Sequence, residues 1–197
     1  MLPPFLCSYF CIMIILGVDP GTLVTGYGVV RVVAAGSYAT IEYGTIESKR
    51  IAEMPLRLET IFSRLGAVIE RTRPDEFAIE TAFYDKSAQS AMKLGQARGV
   101  AIVAARLGRL TVAEYAPRVI KKAVTGNGNA SKEQVEYMVR TLLTLKESER
   151  KLGDAYDALA VALTHAMRRS SGAAKERSWK DFIQKNPERI KNRDSRK

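Results

Sequence analysis

Hydrophobic positions along the chain follow two different periods, and the order of these periods predicts an α/β fold. Three β-rich runs come first, separated by turn signals so short that the runs must be antiparallel neighbours: 14–18, 26–33 and 38–46. A helical period follows over 55–71, and short apolar strands then alternate with helices: strands at 77–80 and 110–114, helices at 87–107, 117–124, 131–145 and 154–168. This order predicts a mixed five-stranded sheet, three antiparallel strands followed by parallel ones, with helices on both faces.

Length and composition divide the chain into one domain and two ends. With 197 residues, of which 46% are hydrophobic, the chain can build one sizeable core, which we expect to span 13–168. Because a strand-forming run begins at Met13, we interpret 1–12 as an N-terminal extension that arises from a misassigned start. The polar residues 169–197 are predicted to form a basic, mostly disordered tail.

The cellular compartment is predicted from the cysteines and the apolar N-terminus. Both cysteines, Cys7 and Cys11, lie in the extension, so the body of the chain has no disulfide framework and a reducing compartment fits. The apolar stretch 5–18 is shorter than the roughly 20 residues of a membrane span, and no signal-peptide cleavage pattern follows it. We therefore expect a cytoplasmic protein that does not contact the membrane.

The charge of the chain is concentrated at one end. The net charge is +10, but residues 168–197 alone hold 11 Lys/Arg against 4 Asp/Glu, which is +7 of that total. Basic tails are common and often only solvated. Charge by itself therefore leaves the binding of a polyanion such as nucleic acid open.

Two carboxylates follow buried strands directly. Asp19 comes after four apolar or small residues in a Val-Asp-Pro-Gly-Thr turn, and Glu80 ends the run Phe-Ala-Ile-Glu. Either residue alone is equally well explained as a turn or strand-end acid. Asp154 and Asp157 lie three residues apart at the start of an apolar helix, so both side chains share one face.

Taken alone, Asp154 and Asp157 are best explained by the helix dipole, which favours acidic residues in the first turn of a helix. The four acids together favour another interpretation, because oxygen ligands from two strand ends and one helix face suit a hard cation such as Mg²⁺. Two such cations about 4 Å apart can activate water and stabilise a leaving phosphate oxygen.

A second group of residues is suited to phosphate. Arg118, Lys121 and Lys122 precede a glycine-containing loop at 125–129, and the run Ser-Lys-Glu-Gln beginning at Ser131 matches a capping box. A glycine loop that leads into a helix N-terminus, with Lys132 on the first turn, is a natural seat for a DNA phosphate. An ordinary capped helix after a flexible loop explains the same pattern.

Two further features have alternative explanations. The helix 87–107 carries Ala91, Gly95 and Gly99 at intervals of four, a stripe that packs either on the protein's own sheet or against a second subunit. Phe83 lies just after Glu80, where an aromatic side chain could join the core or stack on unpaired bases. The single histidine, His165, is expected to be structural.

Several of these segments together resemble the RuvC family of Holliday junction resolvases. The resemblance rests on the order and spacing of six segments, which cover about residues 13–168. They are Ile-Leu-Gly-Val-Asp-Pro-Gly from Ile15, Thr-Gly-Tyr-Gly-Val from Thr25, Ala-Ile-Glu from Ala78, Leu-Gly-Gln-Ala-Arg-Gly-Val-Ala from Leu94, Val-Thr-Gly-Asn-Gly from Val124, and Asp-Ala-Tyr-Asp-Ala-Leu-Ala from Asp154.

The resemblance implies an RNase H-like fold and a homodimer that nicks two opposed strands of a four-way junction and leaves ligatable 5′-phosphate and 3′-hydroxyl ends. It implies two Mg²⁺ per subunit, with Mn²⁺ as a substitute, and cooperation with the RuvA and RuvB branch-migration proteins. The implied metal ligands are Asp19, Glu80, Asp154 and Asp157. Lys121 and Lys132 are implied to act near the scissile phosphate, and Phe83 at the junction centre.

This chain departs from the family pattern at Ser87, where the family often has Asn after Lys86, and in its extended termini. Two other classes of protein share parts of this pattern. The ATP-binding actin and sugar-kinase class shares an Asp-x-Gly-Thr loop but needs a second such domain and a second nucleotide segment. A non-catalytic DNA-binding dimer is disfavoured by the presence of all four acids.

Overall fold

The computed structural model describes residues 13–34, 36–81, 87–145 and 153–170. Its centre is one five-stranded sheet with the strand order β3-β2-β1-β4-β5. The first three strands are antiparallel, β1 pairs with β4 in parallel, and β4 pairs with β5 in parallel, as predicted. The strands are β1 (Met13–Asp19), β2 (Val24–Ala34), β3 (Ser37–Glu47), β4 (Glu76–Glu80) and β5 (Thr111–Tyr115).

The helices of the described residues begin and end close to their predicted limits. They are α1 (Met54–Thr72), α2 (Ala88–Leu107), α3 (Pro117–Thr125), α4 (Lys132–Leu143) and α5 (Gly153–Ser170). Prolines stand in the first turns of α1 and α3, where a missing N–H costs nothing. The predicted capping box of α4 is confirmed: the Gln134 backbone N–H donates to the Ser131 hydroxyl at 3.3 Å, and the Ser131 N–H donates to the Gln134 side chain at 2.9 Å.

The sheet separates two hydrophobic cores. On one face, α1 and α2 pack over side chains such as Leu16, Val29 and Phe77. On the other face, α5 lies directly on β1 and β2, and α3 and α4 pack against α5. Because both faces of the sheet are covered, its central strands are apolar on both sides.

The helix α5 is buried along almost its whole length. Every residue from Ala155 to His165 except Asp157 is buried, so the helix is enclosed between the sheet and the pair α3–α4. His165 is only 6% exposed; its Nδ1 lies 2.7 Å from the Tyr115 hydroxyl, and its Nε2 contacts the Glu76 carboxylate. These contacts tie α5 to β4 and β5, in agreement with the structural position predicted for His165.

The two predicted end segments fall almost entirely outside the described residues, and α5 includes the first two residues of the predicted tail, ending at Ser170. Among the described helices, none is long and apolar enough to cross a membrane.

Candidate active site

The carboxylates of Asp19 and Glu80 meet because β1 and β4 are parallel neighbours. Val18 is paired with Ile79 in this ladder, so the next residue of each strand, Asp19 and Glu80, stands at the same edge of the sheet. The two residues are distant in sequence and are brought together only by the crossover through α1. The prediction that both acids stand at the ends of buried strands is confirmed.

The other two acids reach this edge because α5 approaches the sheet unusually closely. Three glycines on β1 and β2 face α5, and a Cβ at any of them would overlap the helix. A Cβ at Gly17 would lie 2.3 Å from the Ala158 carbonyl oxygen, and one at Gly28 would lie 2.7 Å from a Leu159 methyl carbon. At Gly26 the Asp154 carbonyl oxygen would be 1.9 Å away. This glycine track lets the first turn of α5 rest on the strands, with its acids beside Asp19.

Three of the four acids form a group that could hold a metal ion. One carboxylate oxygen each from Asp19, Asp154 and Asp157 lies within 4.8 Å of the others. Glu80 lies outside this group, but its carboxylate interacts with that of Asp19, and it lines the adjoining cavity with Asp157. Several partly exposed carboxylate oxygens at one point fit the ligand preference of Mg²⁺ and Mn²⁺.

The electrostatics of the site reflect this crowding of negative charge. Burial is the largest cause that raises the pKa of Asp19, from 3.8 to about 8, followed by the charges of Glu80, Asp157 and Asp154. Burial also raises the pKa of Glu80, together with the charge of Asp157. The positive charge of Lys132 opposes both shifts. A divalent cation among these acids would relieve the same repulsion.

Two of the predicted phosphate-binding lysines lie at the acid cluster. The Lys132 ammonium is 2.7 Å from Asp157 Oδ2 and 4.0 Å from Asp154 Oδ1. The charge of Lys121 partly opposes the rise in the pKa of Glu80, whose largest cause is burial. Both lysines line a cavity of about 240 Å³ whose wall also includes Glu80 and Asp157. The cavity therefore joins acidic and basic side chains in one place.

Arg118 and Lys122 lie on the exposed side of α3. The Arg118 side chain packs on the loop between α3 and α4, where a Cβ at Gly128 would lie 2.8 Å from Arg118 Cγ. Among the described residues, neither side chain forms a salt bridge with any of the four acids, unlike Lys132. They add exposed positive charge to α3, the helix that also carries Lys121.

The structure resolves which way the small-residue stripe of α2 faces. Gly95 and Gly99 are exposed, and a Cβ at either would meet nothing within 4 Å. The side of α2 that packs on the protein's own core consists of Ala97, Ala101, Ala104 and Ala105. The stripe thus belongs to the outer surface of the protein, with Ala91 half-buried. Phe83, the predicted stacking residue, lies outside the described residues.

A larger cavity, of about 490 Å³, lies between α1 and β3 and is lined by Tyr27, Arg64 and Arg71 among others. None of the four acids lines it. Since α1 packs on the face opposite α5, this cavity is separate from the candidate active site.

Sequence reasoning missed two features of the site. The motifs that contain Gly17, Gly26 and Gly28 were recognised, but their common role as the track for α5 was not. Gly26 and Gly28 lie two residues apart in β2, and Gly17 lies in the neighbouring strand β1. Because alternate residues of a strand face the same side of the sheet, this spacing could have indicated a common glycine surface. The ion pair between Lys132 and Asp157 was also missed, since it depends on how α4 packs on α5.

An RNase H-like sheet with a carboxylate cluster at the end of its central strands defines a class of enzymes that cleave phosphodiester bonds with a divalent metal. The family model described as "Crossover junction endodeoxyribonuclease RuvC" matches residues 15–165. The chain therefore belongs to the RuvC family of crossover junction endodeoxyribonucleases.

Individual relatives agree with the family match. The crossover junction endodeoxyribonuclease RuvC of Cytophaga hutchinsonii is 44% identical over 179 residues, 90% of this chain and 88% of the relative. That of Saccharophagus degradans is 53% identical over 152 residues, 77% and 86% of the two chains. Membership of this family excludes both alternatives from the sequence analysis, the ATP-binding class and a non-catalytic DNA-binding protein.

Solved structures support the fold. The structure of Thermus thermophilus RuvC in complex with a Holliday junction substrate matches with a TM-score of 0.76 and 36% identity, covering 81% of this chain and 96% of that one. The yeast mitochondrial Holliday junction resolvase matches with a TM-score of 0.61 at 10% identity, a likeness of fold alone.

Proposed function

We propose that this protein is a structure-specific endonuclease that binds four-way DNA junctions and nicks two opposed strands with the help of Mg²⁺. The observation that carries the proposal is the meeting of Asp19, Glu80, Asp154 and Asp157 with two lysines at one sheet edge, in a chain of this family. The relative of known structure was solved with a Holliday junction substrate, which supports the same substrate here.

The four acids are the proposed metal ligands, with two Mg²⁺ per subunit and Mn²⁺ as a substitute. When bound, such ions activate a water molecule and stabilise the departing phosphate oxygen. The chain's own residues supply the geometry. The carboxyl ends of β1 and β4 hold Asp19 and Glu80 rigidly, and the close approach of α5 holds Asp154 and Asp157 opposite them.

The basic residues are proposed to hold the DNA. Lys121 and Lys132 line the cavity beside the acids and suit the scissile phosphate, whereas the exposed Arg118 and Lys122 suit neighbouring backbone phosphates. Phosphate contacts of this kind position a duplex arm without reading its sequence. Phe83 is proposed to act at the junction centre, on the basis of the family resemblance.

A homodimer through α2 is proposed because the substrate has two equivalent scissile positions. A two-fold contact places two copies of one site in related positions. The outward face of α2 offers small residues for close backbone approach, and it also exposes large apolar side chains: Met92 at 70% and Leu107 at 69%. An apolar, small-residue face of this kind is suited to contact with a second subunit.

The cellular role follows from the same proposal. The enzyme is proposed to act in the cytoplasm in homologous recombination and DNA repair, together with RuvA and RuvB, and to leave 5′-phosphate and 3′-hydroxyl ends that a ligase can join.

The experiment that tests this function uses a labelled synthetic four-way junction with Mg²⁺. We expect paired nicks on the junction and no cleavage of duplex DNA of the same sequence or of a replication fork, and we expect ligase to seal the products. An Asp157→Asn variant serves as the matched inactive protein. Equal cleavage of junction and duplex would reject structure specificity, and cleavage by Asp157→Asn would reject the assigned acids.

A further inference from the structure

We propose that Lys132 acts as an internal counter-cation: in the metal-free protein its ammonium occupies the position that a divalent metal ion would take beside Asp157. When the metal ion binds, the ammonium is displaced and becomes available to the DNA phosphate. The inference rests on the proposed metal site and deepens it. Its basis is that the Lys132 ammonium lies 2.7 Å from Asp157 Oδ2 and 4.0 Å from Asp154 Oδ1, both among the proposed ligands.

The lysine and a metal ion would compete for the same carboxylates. An ammonium and a divalent cation cannot both approach one side of the Asp157 carboxylate, because their positive charges repel each other strongly at such distances. Conversely, without any cation the crowded acids repel one another. The ammonium of Lys132 reduces this repulsion in the metal-free protein, because it lies within 4.0 Å of carboxylate oxygens of both Asp157 and Asp154.

The start of α4 is held in place by its packing, whereas the Lys132 side chain is partly exposed. The capping box at Ser131 anchors the start of α4, and the buried Val135 and Val139 hold the helix against the core. The Lys132 side chain itself is 56% exposed. Partly exposed ion pairs of this kind are weak, so a divalent cation with several carboxylate ligands can displace the ammonium without any rearrangement of the helix.

The released ammonium remains beside the reaction site. It stays on the first turn of α4 and at the wall of the 240 Å³ cavity that Lys121 also lines. A cation on a helix N-terminal turn next to a second lysine is well placed for a phosphate oxygen. One lysine would thus serve two anions in turn, a carboxylate before the metal binds and a phosphate afterwards.

The test measures metal binding without DNA. Free Mn²⁺ is quantified by electron paramagnetic resonance during titration of the wild-type protein, Lys132→Gln and Lys122→Gln at pH 8.0 under nitrogen. The Lys122→Gln variant loses the same charge from the exposed side of the neighbouring helix α3. We expect Lys132→Gln to bind Mn²⁺ about two- to fivefold more tightly than the wild type, and Lys122→Gln to stay within about 1.5-fold of it.

Unchanged or weaker Mn²⁺ binding by Lys132→Gln would overturn the proposal, and so would an equal gain in Lys122→Gln, which would reveal a long-range charge effect. An Asp19→Asn variant separates this inference from the function on which it rests. If Asp19→Asn binds Mn²⁺ like the wild type, the proposed metal site itself is wrong. If Asp19→Asn loses binding while Lys132→Gln gains none, only the exchange of lysine for metal is rejected.

Discussion

The carbonyl oxygen of Asp154 lies where the side chain of any residue other than glycine at position 26 would begin. A Cβ at Gly26 would be 1.9 Å from that oxygen, far inside van der Waals contact. The strand β2 and the first turn of α5 therefore touch backbone to backbone. The position of Asp154 and Asp157 relative to Asp19 depends on this contact.

Replacing Gly26 by Ala should displace the start of α5 and separate the acids. We expect a loss of about 1–3 kcal/mol in the free energy of unfolding, as for overpacked cores, together with loss of junction cleavage. Denaturant unfolding and a cleavage assay measure the two effects. Gly66→Ala is the control: a Cβ there meets nothing, so this helical substitution should be neutral or stabilising by up to about 1 kcal/mol. A fully active, stable Gly26→Ala would contradict the role of the glycine track.

Replacing Asp19 by Asn should abolish cleavage but preserve binding to the junction. A neutral amide is a poorer ligand for Mg²⁺ than a carboxylate, while the loss of one negative charge reduces repulsion of the DNA phosphates. Gel-shift and cleavage measurements on the same junction, with Mg²⁺ present, separate the two effects. Wild-type cleavage rates in Asp19→Asn would remove this residue from the metal site.

The stability of the metal-free protein should depend on pH through Asp19. The folded-state pKa of this carboxyl is raised from 3.8 to about 8, so its contribution to stability is complete below about pH 3.8 and is lost as pH rises to about 8. The Asp19→Asn variant lacks this titrating group and its pH dependence. We expect the melting temperatures of wild type and variant to converge near pH 4 and to differ by several degrees near pH 9, with the variant higher. A constant difference in melting temperature between wild type and variant from about pH 4 to about pH 9 would contradict the raised pKa of Asp19.

The outward stripe of α2 should control association and not folding. Because a Cβ at Gly99 meets nothing within 4 Å, Gly99→Leu should leave the unfolding free energy of the single chain nearly unchanged while it weakens or abolishes the proposed dimer. Sedimentation equilibrium and thermal unfolding measure the two quantities. Gly66→Leu, at another helical glycine with open space around it, should remain dimeric. A dimeric Gly99→Leu would place the subunit contact elsewhere.

The exposed Lys122 should contribute to DNA affinity through a phosphate. Loss of one such contact lowers the slope of log affinity against log salt concentration by about 0.9, so Lys122→Gln should show a salt dependence weaker by about one unit. Fluorescence anisotropy over a series of salt concentrations gives the slope. Lys49→Gln, in the exposed turn after β3, is the matched charge change and should leave the slope unaltered. The same slope in Lys122→Gln and wild type would exclude a phosphate contact there.

The sheet and the acidic residues were predictable because they leave strong local signals. Apolar runs that end in Asp19 and Glu80 indicate both the strands and their carboxyl-terminal acids, and the spacing of Asp154 and Asp157 places both on one helix face. Parallel pairing of β1 with β4 then brings these ends together. The family resemblance supplied the same four residues independently.

The direction in which α2 faces could not be predicted, because small residues occupy both sides of this helix. Ala97 and Ala101 are buried, whereas Gly95 and Gly99 are exposed, and hydrophobic periodicity does not distinguish two such faces. The contact between Lys132 and Asp157 could not be predicted from the sequence either. It depends on how α4 packs against α5, and no local sequence pattern indicates that packing.

The acids of the site come from opposite ends of the described chain, Asp19 from its first strand and Asp157 from its last helix. During synthesis, the sheet emerges from the ribosome well before α5, and the carboxylate set is incomplete until α5 docks on the glycines of β1 and β2. A nascent or prematurely terminated chain that lacks α5 therefore carries half of the proposed metal ligands. The order of the sequence thus delays any capacity to cut DNA until translation of the domain is nearly finished.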